Sequence, residues 1–414
     1  MMAGDASPGA GAVVTRSEPL WRPGNSACAG CGMSLGLQWL DQALHGGMLT
    51  LVVPACCAVA TPGAFPDSAY GVPTVGSTFA SSPAVATGVS RVHLLNDEPD
   101  PTICWAGDGG TYDIGMATLS AAAERNEDVI YVCYDNEIYG NTGGQRSSAT
   151  PAGARTTTTP AGKPEPKKNV MAIMAAHGVP YAATLSLAHH DDFMRKLAVA
   201  QTTRGFRFLL LLSPCPAGWK SEPADTVELS RLAVACGVFP LYEVFNGRRY
   251  RINARADGTP LEDYLARQKR FAGAACDVEA ARAAIKEKWA RLEALAANFP
   301  TTDVSVSSES GHCWLRVLVE DRPSVLARVA GQVSRRGVNI ETVVVRHLPD
   351  RAHTYITLGV DADEPTAERV AKGMARLDAV ASVESFVGEC PEPGTELEPM
   401  VEARPSPDAP PTVR

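Results

Sequence analysis

Two strand-to-loop junctions constrain this chain more than anything else in it. The apolar run Pro101-Thr102-Ile103-Cys104-Trp105-Ala106 ends in Gly107-Asp108-Gly109-Gly110, and Val129-Ile130-Tyr131-Val132-Cys133-Tyr134 opens into Asp135-Asn136-Glu137-Ile138-Tyr139-Gly140-Asn141-Thr142-Gly143-Gly144. Strands this continuously apolar are buried on both faces, which calls for a parallel sheet covered by helices. In such sheets ligands bind beyond the carboxyl ends of the strands. Glycines at that edge let the chain turn sharply and present backbone N–H groups to an anion. Asp108 offers a carboxylate to a hard cation, and the second strand delivers Asn136 and backbone carbonyls to the same edge. The two junctions together read as a cradle for magnesium and a diphosphate.

The surrounding pattern agrees with a doubly wound α/β layout. Strand-like runs at 49–53, 101–106, 129–134, 180–185 and 206–212 alternate with helical periodicity at 33–45, 114–126, 168–177 and 190–203. Segment 147–166, rich in Ala, Gly, Pro and Thr, has no period and predicts a long loop over the site. Lys167 and Lys168 open the following helix and read as solvated, while His177, His189 and His190 lack partners at metal spacing and read as structural or surface residues. The formal charge is −8 across 414 residues, which argues against a nucleic-acid partner. No apolar run approaches the ~20 residues that span a bilayer, and no basic and apolar leader opens the chain. The expectation is a cytoplasmic protein with no membrane contact.

Eleven cysteines, an odd number scattered through strands and loops, do not form a secreted disulfide framework. Cys28-Ala29-Gly30-Cys31-Gly32 places a CxxC at the start of a helix, Cys57 follows the strand at 49–53 in Pro54-Ala55-Cys56-Cys57, and Cys215 follows that at 206–212 in Ser213-Pro214-Cys215-Pro216. Four thiolates at the ends of elements suit either a 4Fe-4S cluster or zinc, with redox disulfide chemistry as a third option. The other cysteines, Cys104, Cys133, Cys236, Cys276, Cys313 and Cys390, read as ordinary core or surface thiols.

With GDGGTYDIG, YDNEIYGNTGGQ and ATPAGARTTTTPAGK in this order, the chain resembles the beta subunit of the pyruvate:ferredoxin oxidoreductase family to about residue 295. The resemblance implies a thiamine diphosphate-binding fold in which Asp108, the Asn136 side chain and the Ile138 carbonyl hold Mg2+. Gly107, Gly109, Gly110, Thr142 and Gly143 would line the cofactor, with Asn141 beside its reacting ring. It also decides for iron, with Cys28, Cys31, Cys57 and Cys215 as ligands of a 4Fe-4S cluster. The family's usual Gly-Cys is Cys56-Cys57 here, so Cys56 competes with Cys57. The implied reaction is oxidative decarboxylation of pyruvate with coenzyme A to acetyl-CoA, carbon dioxide and reduced ferredoxin. A glutamate from a separate pyrimidine-binding domain belongs to this chemistry, and the first 295 residues have room for only one such domain. An alpha subunit carrying the other, and gamma/delta-type subunits, are therefore expected, and the chain alone is expected to be inactive. Other 2-oxo acids, branched-chain or aromatic, and a non-redox thiamine diphosphate lyase or synthase are the alternatives. Segment 227–295, Lys/Arg-rich and closed by a helix from Val278, is expected to be an arm around a neighbouring subunit, with packing against its own domain as the competing reading.

Beyond residue 297 the periodicity changes. Strands at 313–319, 338–347, 353–361 and 380–387 and helices at 324–336 and 365–377 give a βαββαβ ferredoxin-like order. Val325, Leu326, Val329 and Val333 are expected on one helical face. With Asp321-Arg322-Pro323-Ser324 and Gly337-Val338-Asn339-Ile340 this part resembles an ACT domain, a module that often binds amino acids. Asp321 and Asn339 would be the ligand contacts, Ser324 stands where a glycine is common, and dimerisation through the sheet is the competing role. The expected boundaries are a disordered 1–17, the cofactor-binding domain with its arm at 18–297, a linker at 298–310, the ACT domain at 311–388 and a disordered tail at 389–414.

Overall fold

The computed structural model describes residues 16, 18–63, 67–96, 100–273, 277–298, 312–320, 322, 325–334, 338–348, 352–362, 364–387 and 401–402. The expected linker and most of both expected disordered ends lie outside these residues. Arg16, counted with the disordered N-terminus, is described: its buried guanidinium pairs with Asp41 and donates to the Gly47 carbonyl at 2.9 Å. The chain divides into two compact units, 1–302 and 303–414.

The first unit is an eight-stranded sheet in the order β2-β1-β3-β4-β6-β5-β7-β8. Its strands are β1 (Thr50–Pro54), β2 (Thr74–Ser77), β3 (Thr102–Gly107), β4 (Ile130–Asp135), β5 (Tyr181–Ser186), β6 (Arg207–Leu212), β7 (Leu241–Phe245) and β8 (Arg249–Ala254). The first six are parallel; β7 runs antiparallel to β5, and β8 to β7. β1, β3, β4, β5 and β6 are buried along their whole length, as their unbroken apolar runs require. Side chains alternate between two cores, with Val52, Cys104, Tyr131 and Phe208 on one face and Leu51, Trp105, Val132 and Leu209 on the other. Around the sheet lie α1 (Gly32–Ala43), α2 (Cys57–Ala60), α3 (Ser82–Leu95), α4 (Met116–Glu124), α5 (Val170–Ala176), α6 (His190–Thr202), α7 (Pro216–Trp219), α8 (Thr226–Ala235), α9 (Leu261–Ala266) and α10 (Val278–Asn298). α1 shows why such helices form: Met33, Leu37 and Leu40 fall on one face and are all buried.

Two expectations change. Segment 227–295 packs on its own domain: β7 and β8 extend the sheet, and Tyr250, Tyr264 and Leu292 enter the core. The segment thus follows its second reading, packing on its own domain with β8 as the edge strand of the sheet. Helix α5 begins at Val170, after Lys167 and Lys168, because Asn169 caps it by accepting from the Ala172 N–H at 3.0 Å.

The second unit contains β9 (His312–Glu320), α11 (Val325–Ser334), β10 (Asn339–His347), β11 (His353–Asp361), α12 (Glu364–Met374), β12 (Val380–Val387) and the two-residue β13 (Val401–Glu402), which falls within the tail expected to be disordered. The antiparallel sheet has the order β10-β11-β9-β12-β13. Val325, Val329 and Val333 of α11 enter its core, whereas Leu326 is 42% exposed, since one step along a helix rotates a side chain by roughly 100° off the buried stripe.

Candidate functional site

Strand register puts the proposed site residues at one edge. Gly107 pairs with Tyr134 and Asp135 with Leu212, so 108, 136 and the 213–215 loop leave the sheet side by side. β1 stands between β2 and β3, which makes its carboxyl end a topological switch point, and Cys56 and Cys57 follow it directly.

Beyond β3 the chain enters a π-helical turn, Gly109–Asp113, before α4. A side chain at Gly109 could not exist there, since its Cβ would lie 2.1 Å from the Tyr139 ring. Tyr139 uses that closeness to donate its hydroxyl to Asp113 at 3.0 Å. Asp108 is buried and accepts from the Ser147 hydroxyl. Burial, and then the neighbouring Asp135, push its carboxyl well above the usual range, which is the signature of an acid set where a positive charge would relieve it. Asn136 is also buried, and its side-chain oxygen accepts from the Ile138 N–H at 3.3 Å. Between them Glu137 adopts φ 62°, a left-handed conformation uncommon for such a side chain. Its carboxylate is held by Lys167 at 2.7 Å and Arg270 at 2.6 Å, and these cations keep it ionised below the usual range although burial opposes this.

A cleft is lined by Asp108, Gly109, Gly110, Asn136, Ile138 and Asn141, among others, with Gly107 and Thr142 also in its wall. Gly143 lies just beyond it with φ 115°, a conformation that favours glycine. The donors available, a carboxylate, an amide oxygen and backbone carbonyls, are all hard oxygens, so the set fits magnesium.

Cys28, Cys31, Cys57 and Cys215 line a second cavity that also takes in Asn136, Gly140 and Asn141. A Cβ placed on Gly140 would lie 3.8 Å from both the Cys57 and Cys215 sulfurs. Cys56 instead faces the first cleft and donates its thiol to the Pro54 carbonyl at 3.1 Å. Burial, followed by Cys215 and the other neighbouring thiols, pushes Cys57 up to about 12, and burial raises Cys215 to about 11 despite the Gly218 N–H. Among the described residues no three His, Cys, Asp or Glu side chains converge on a single ion. Cys104, Cys133 and Cys313 are buried in strands as expected, and Cys276 and Cys390 lie outside the described residues.

Four residues at the site are not legible in the sequence. Lys167, expected in solvent, bridges Asp135 at 2.6 Å and Glu137, and Lys168 donates to the Tyr112 carbonyl. Arg270 and Trp219 join them from later segments: the guanidinium lies 3.9 Å from the indole centroid, and the indole N–H donates to the Asn136 carbonyl at 2.8 Å. The only local signal was Trp219 closing the Cys215 loop. The loop 147–166 reaches the site through Ser147 and through Thr150, which donates to the Glu137 carbonyl at 2.7 Å. His177 meets Ser120 at 3.1 Å, His189 contacts Ser186, and His190 is exposed. In the second unit Asp321 lies outside the described residues and Asn339 opens β10.

Residues 47–210 match the thiamine pyrophosphate enzyme C-terminal TPP-binding domain, and residues 315–382 match the AHAS small subunit-like ACT domain. Over 67% of its length the chain is 42% identical to ketoisovalerate oxidoreductase subunit VorB of Pyrococcus horikoshii, covering 93% of that protein. Over 61% it is 44% identical to pyruvate synthase subunit PorB of Methanothermobacter thermautotrophicus, covering 90%. A solved 2-oxoglutarate:ferredoxin oxidoreductase from Magnetococcus marinus aligns with 51% of this chain and 79% of its own at 23% identity and a TM-score of 0.43. No helix among the described residues is long and apolar enough to cross a membrane. The chain belongs to the 2-oxoacid:ferredoxin oxidoreductase family, as a thiamine diphosphate-binding beta subunit of the PorB/VorB type that carries an ACT domain.

Proposed function

We propose that this subunit holds Mg2+ through Asp108, Asn136 and the Ile138 carbonyl, and a 4Fe-4S cluster through Cys28, Cys31, Cys57 and Cys215, in a pyruvate:ferredoxin oxidoreductase. The observation that carries the reading is the cavity shared by the four cysteines with Asn136 and Asn141. Thiamine diphosphate, when bound, supplies an electron sink for decarboxylation of a 2-oxo acid, and the cluster accepts electrons singly. The chain's own work is to orient. Asp108 neutralises and fixes the cation, the glycines admit the diphosphate close to backbone N–H groups, and Asn141 stands between cleft and cysteine cavity.

Alpha and gamma/delta-type subunits, coenzyme A and ferredoxin complete the reaction in this reading, the alpha subunit bringing the pyrimidine-binding domain. Pyruvate is the favoured substrate on the PorB relatives, and the VorB relative, similar to much the same degree, supports a branched-chain 2-oxo acid as the second reading. The test is anaerobic purification of the assembled complex with iron, zinc and thiamine analysis, followed by ferredoxin reduction with pyruvate, 2-oxoisovalerate and aromatic 2-oxo acids. Iron with absorbance near ~400 nm and pyruvate-dependent reduction are expected of an iron–sulfur enzyme; zinc, or no response to pyruvate, sinks the corresponding half.

A further inference from the structure

The buried chain of contacts from Trp219 to Lys167 has no part in binding either group directly, yet it touches the loops of both. Trp219 ends α7, which begins directly after Cys215, and its backbone N–H donates to the Cys215 carbonyl at 2.7 Å. Its indole N–H meets the Asn136 carbonyl, in the loop that carries the oxygen donors. Arg270 lies on the other side of that indole and reaches the Glu137 carboxylate, while the Gln268 side chain accepts two further bonds from it at 2.8 and 3.0 Å. Glu137 is the one non-glycine residue of this loop with a left-handed backbone, so its anchoring fixes the directions of Asn136 and Ile138 on either side. The two loops also touch directly, since a Cβ on Gly218 would lie 2.8 Å from the Ile138 Cγ2.

We propose that Trp219 and Arg270 are positioning residues that join the Cys215 loop to the Asn136–Glu137–Ile138 turn, so that the metal-binding oxygens and the cluster-binding cysteine are held in one frame. This rests on the reading that the two loops bind Mg2+ with thiamine diphosphate and an iron–sulfur cluster. Both residues act through the Asn136 and Glu137 turn, and their effects are therefore coupled instead of additive.

The test uses the assembled complex carrying Trp219→Phe, Arg270→Lys, or both. Trp219→Phe keeps a ring beneath the guanidinium and removes the N–H together with part of the fully buried indole, so circular dichroism checks that the fold is retained. Losing a buried hydrogen bond of this kind raises the Mg2+ concentration for half-maximal thiamine diphosphate retention about tenfold. Iron content stays at the wild-type level, and the electron paramagnetic resonance spectrum of the reduced cluster shifts, because the Cys215 loop has lost its tether. Arg270→Lys gives a similar rise, and the double variant is no worse than Trp219→Phe alone. Unchanged Mg2+ dependence with an unchanged spectrum overturns the coupling, as do effects that simply add. A wild-type complex without iron or thiamine diphosphate removes the reading beneath it and the coupling as well, an outcome distinguishable by analysis of the wild type alone.

Discussion

Cys56 and Cys57 are neighbours in sequence and both line the first cleft, but only Cys57 also lines the second cavity. Cys57 looks into the space shared with Cys28, Cys31 and Cys215, and Cys56 turns back to the Pro54 carbonyl. The expected outcome is that Cys57→Ala loses cluster iron from the assembled complex whereas Cys56→Ala retains it, read by iron analysis after anaerobic purification; the reverse pattern would falsify the ligand assignment. Asp108 makes a second residue-scale case. Asp108→Asn keeps the shape of the side chain and its hydrogen-bonding room but removes the charge that a hard cation needs. Retention of thiamine diphosphate at limiting Mg2+ should fall at least about tenfold, with the fold intact by circular dichroism. The glycines, Asp108, Asn136 and the CxxC could be read from sequence because each lies in a local motif. Lys167, Arg270 and Trp219 could not, because the first two meet Glu137 from 30 and 133 positions away, Trp219 meets Asn136 from 83, and nothing local marks a lysine or arginine as buried. The doublet Cys56-Cys57 was undecidable for a related reason: which sulfur turns inward depends on how α2 starts, a matter of one residue of rotation.

At the scale of elements, apolar runs found the strands of the parallel sheet and the helices between them to within about two residues. β2 and α3 were not legible. The β2 strand is half exposed at the sheet edge, and α3 mixes Ser, Thr and Gly among its apolar residues, so neither shows a clean period. The antiparallel pair β7 and β8 went unread because its fastening is polar. Glu243 of β7 is fully buried, accepts from Tyr181 of β5 at 2.8 Å and Asn253 of β8 at 2.7 Å, and binds both terminal nitrogens of Arg195 of α6 at 2.9 and 3.0 Å. Burial raises its pKa, but the hydrogen bonds from Arg195 and Asn253 outweigh this and hold it below the ordinary carboxylate value. A carboxylate lowered on folding stabilises the fold above its unfolded value, ~4.3, and that contribution is lost as pH falls through the lower folded value. Glu243→Gln should therefore cost about 1–3 kcal/mol at neutral pH, with the gap to wild type in urea unfolding closing below about pH 4. A gap that stays constant with pH would show that packing, not charge, holds β7 to the sheet.

For the whole molecule, the two compact units separate two kinds of work. Almost all of the Pyrococcus horikoshii relative, 93% of it, is matched by 67% of this chain, and the ACT match at 315–382 is an addition to a subunit of that size. A unit added to an already complete cofactor subunit is better suited to control or assembly than to chemistry. Removing 303–414 should then leave iron and thiamine diphosphate content of the assembled complex intact, and pyruvate-dependent ferredoxin reduction within about twofold. The β10 edge of this unit carries exposed Val343, Val344 and Val345, which also fits sheet-to-sheet pairing. Calorimetry of the full complex with the twenty amino acids separates the roles. A saturable heat with one branched-chain or aromatic amino acid, absent from the truncated complex, is expected if the unit is a sensor. Silence across the panel, together with a smaller assembly after truncation, assigns it to holding subunits together.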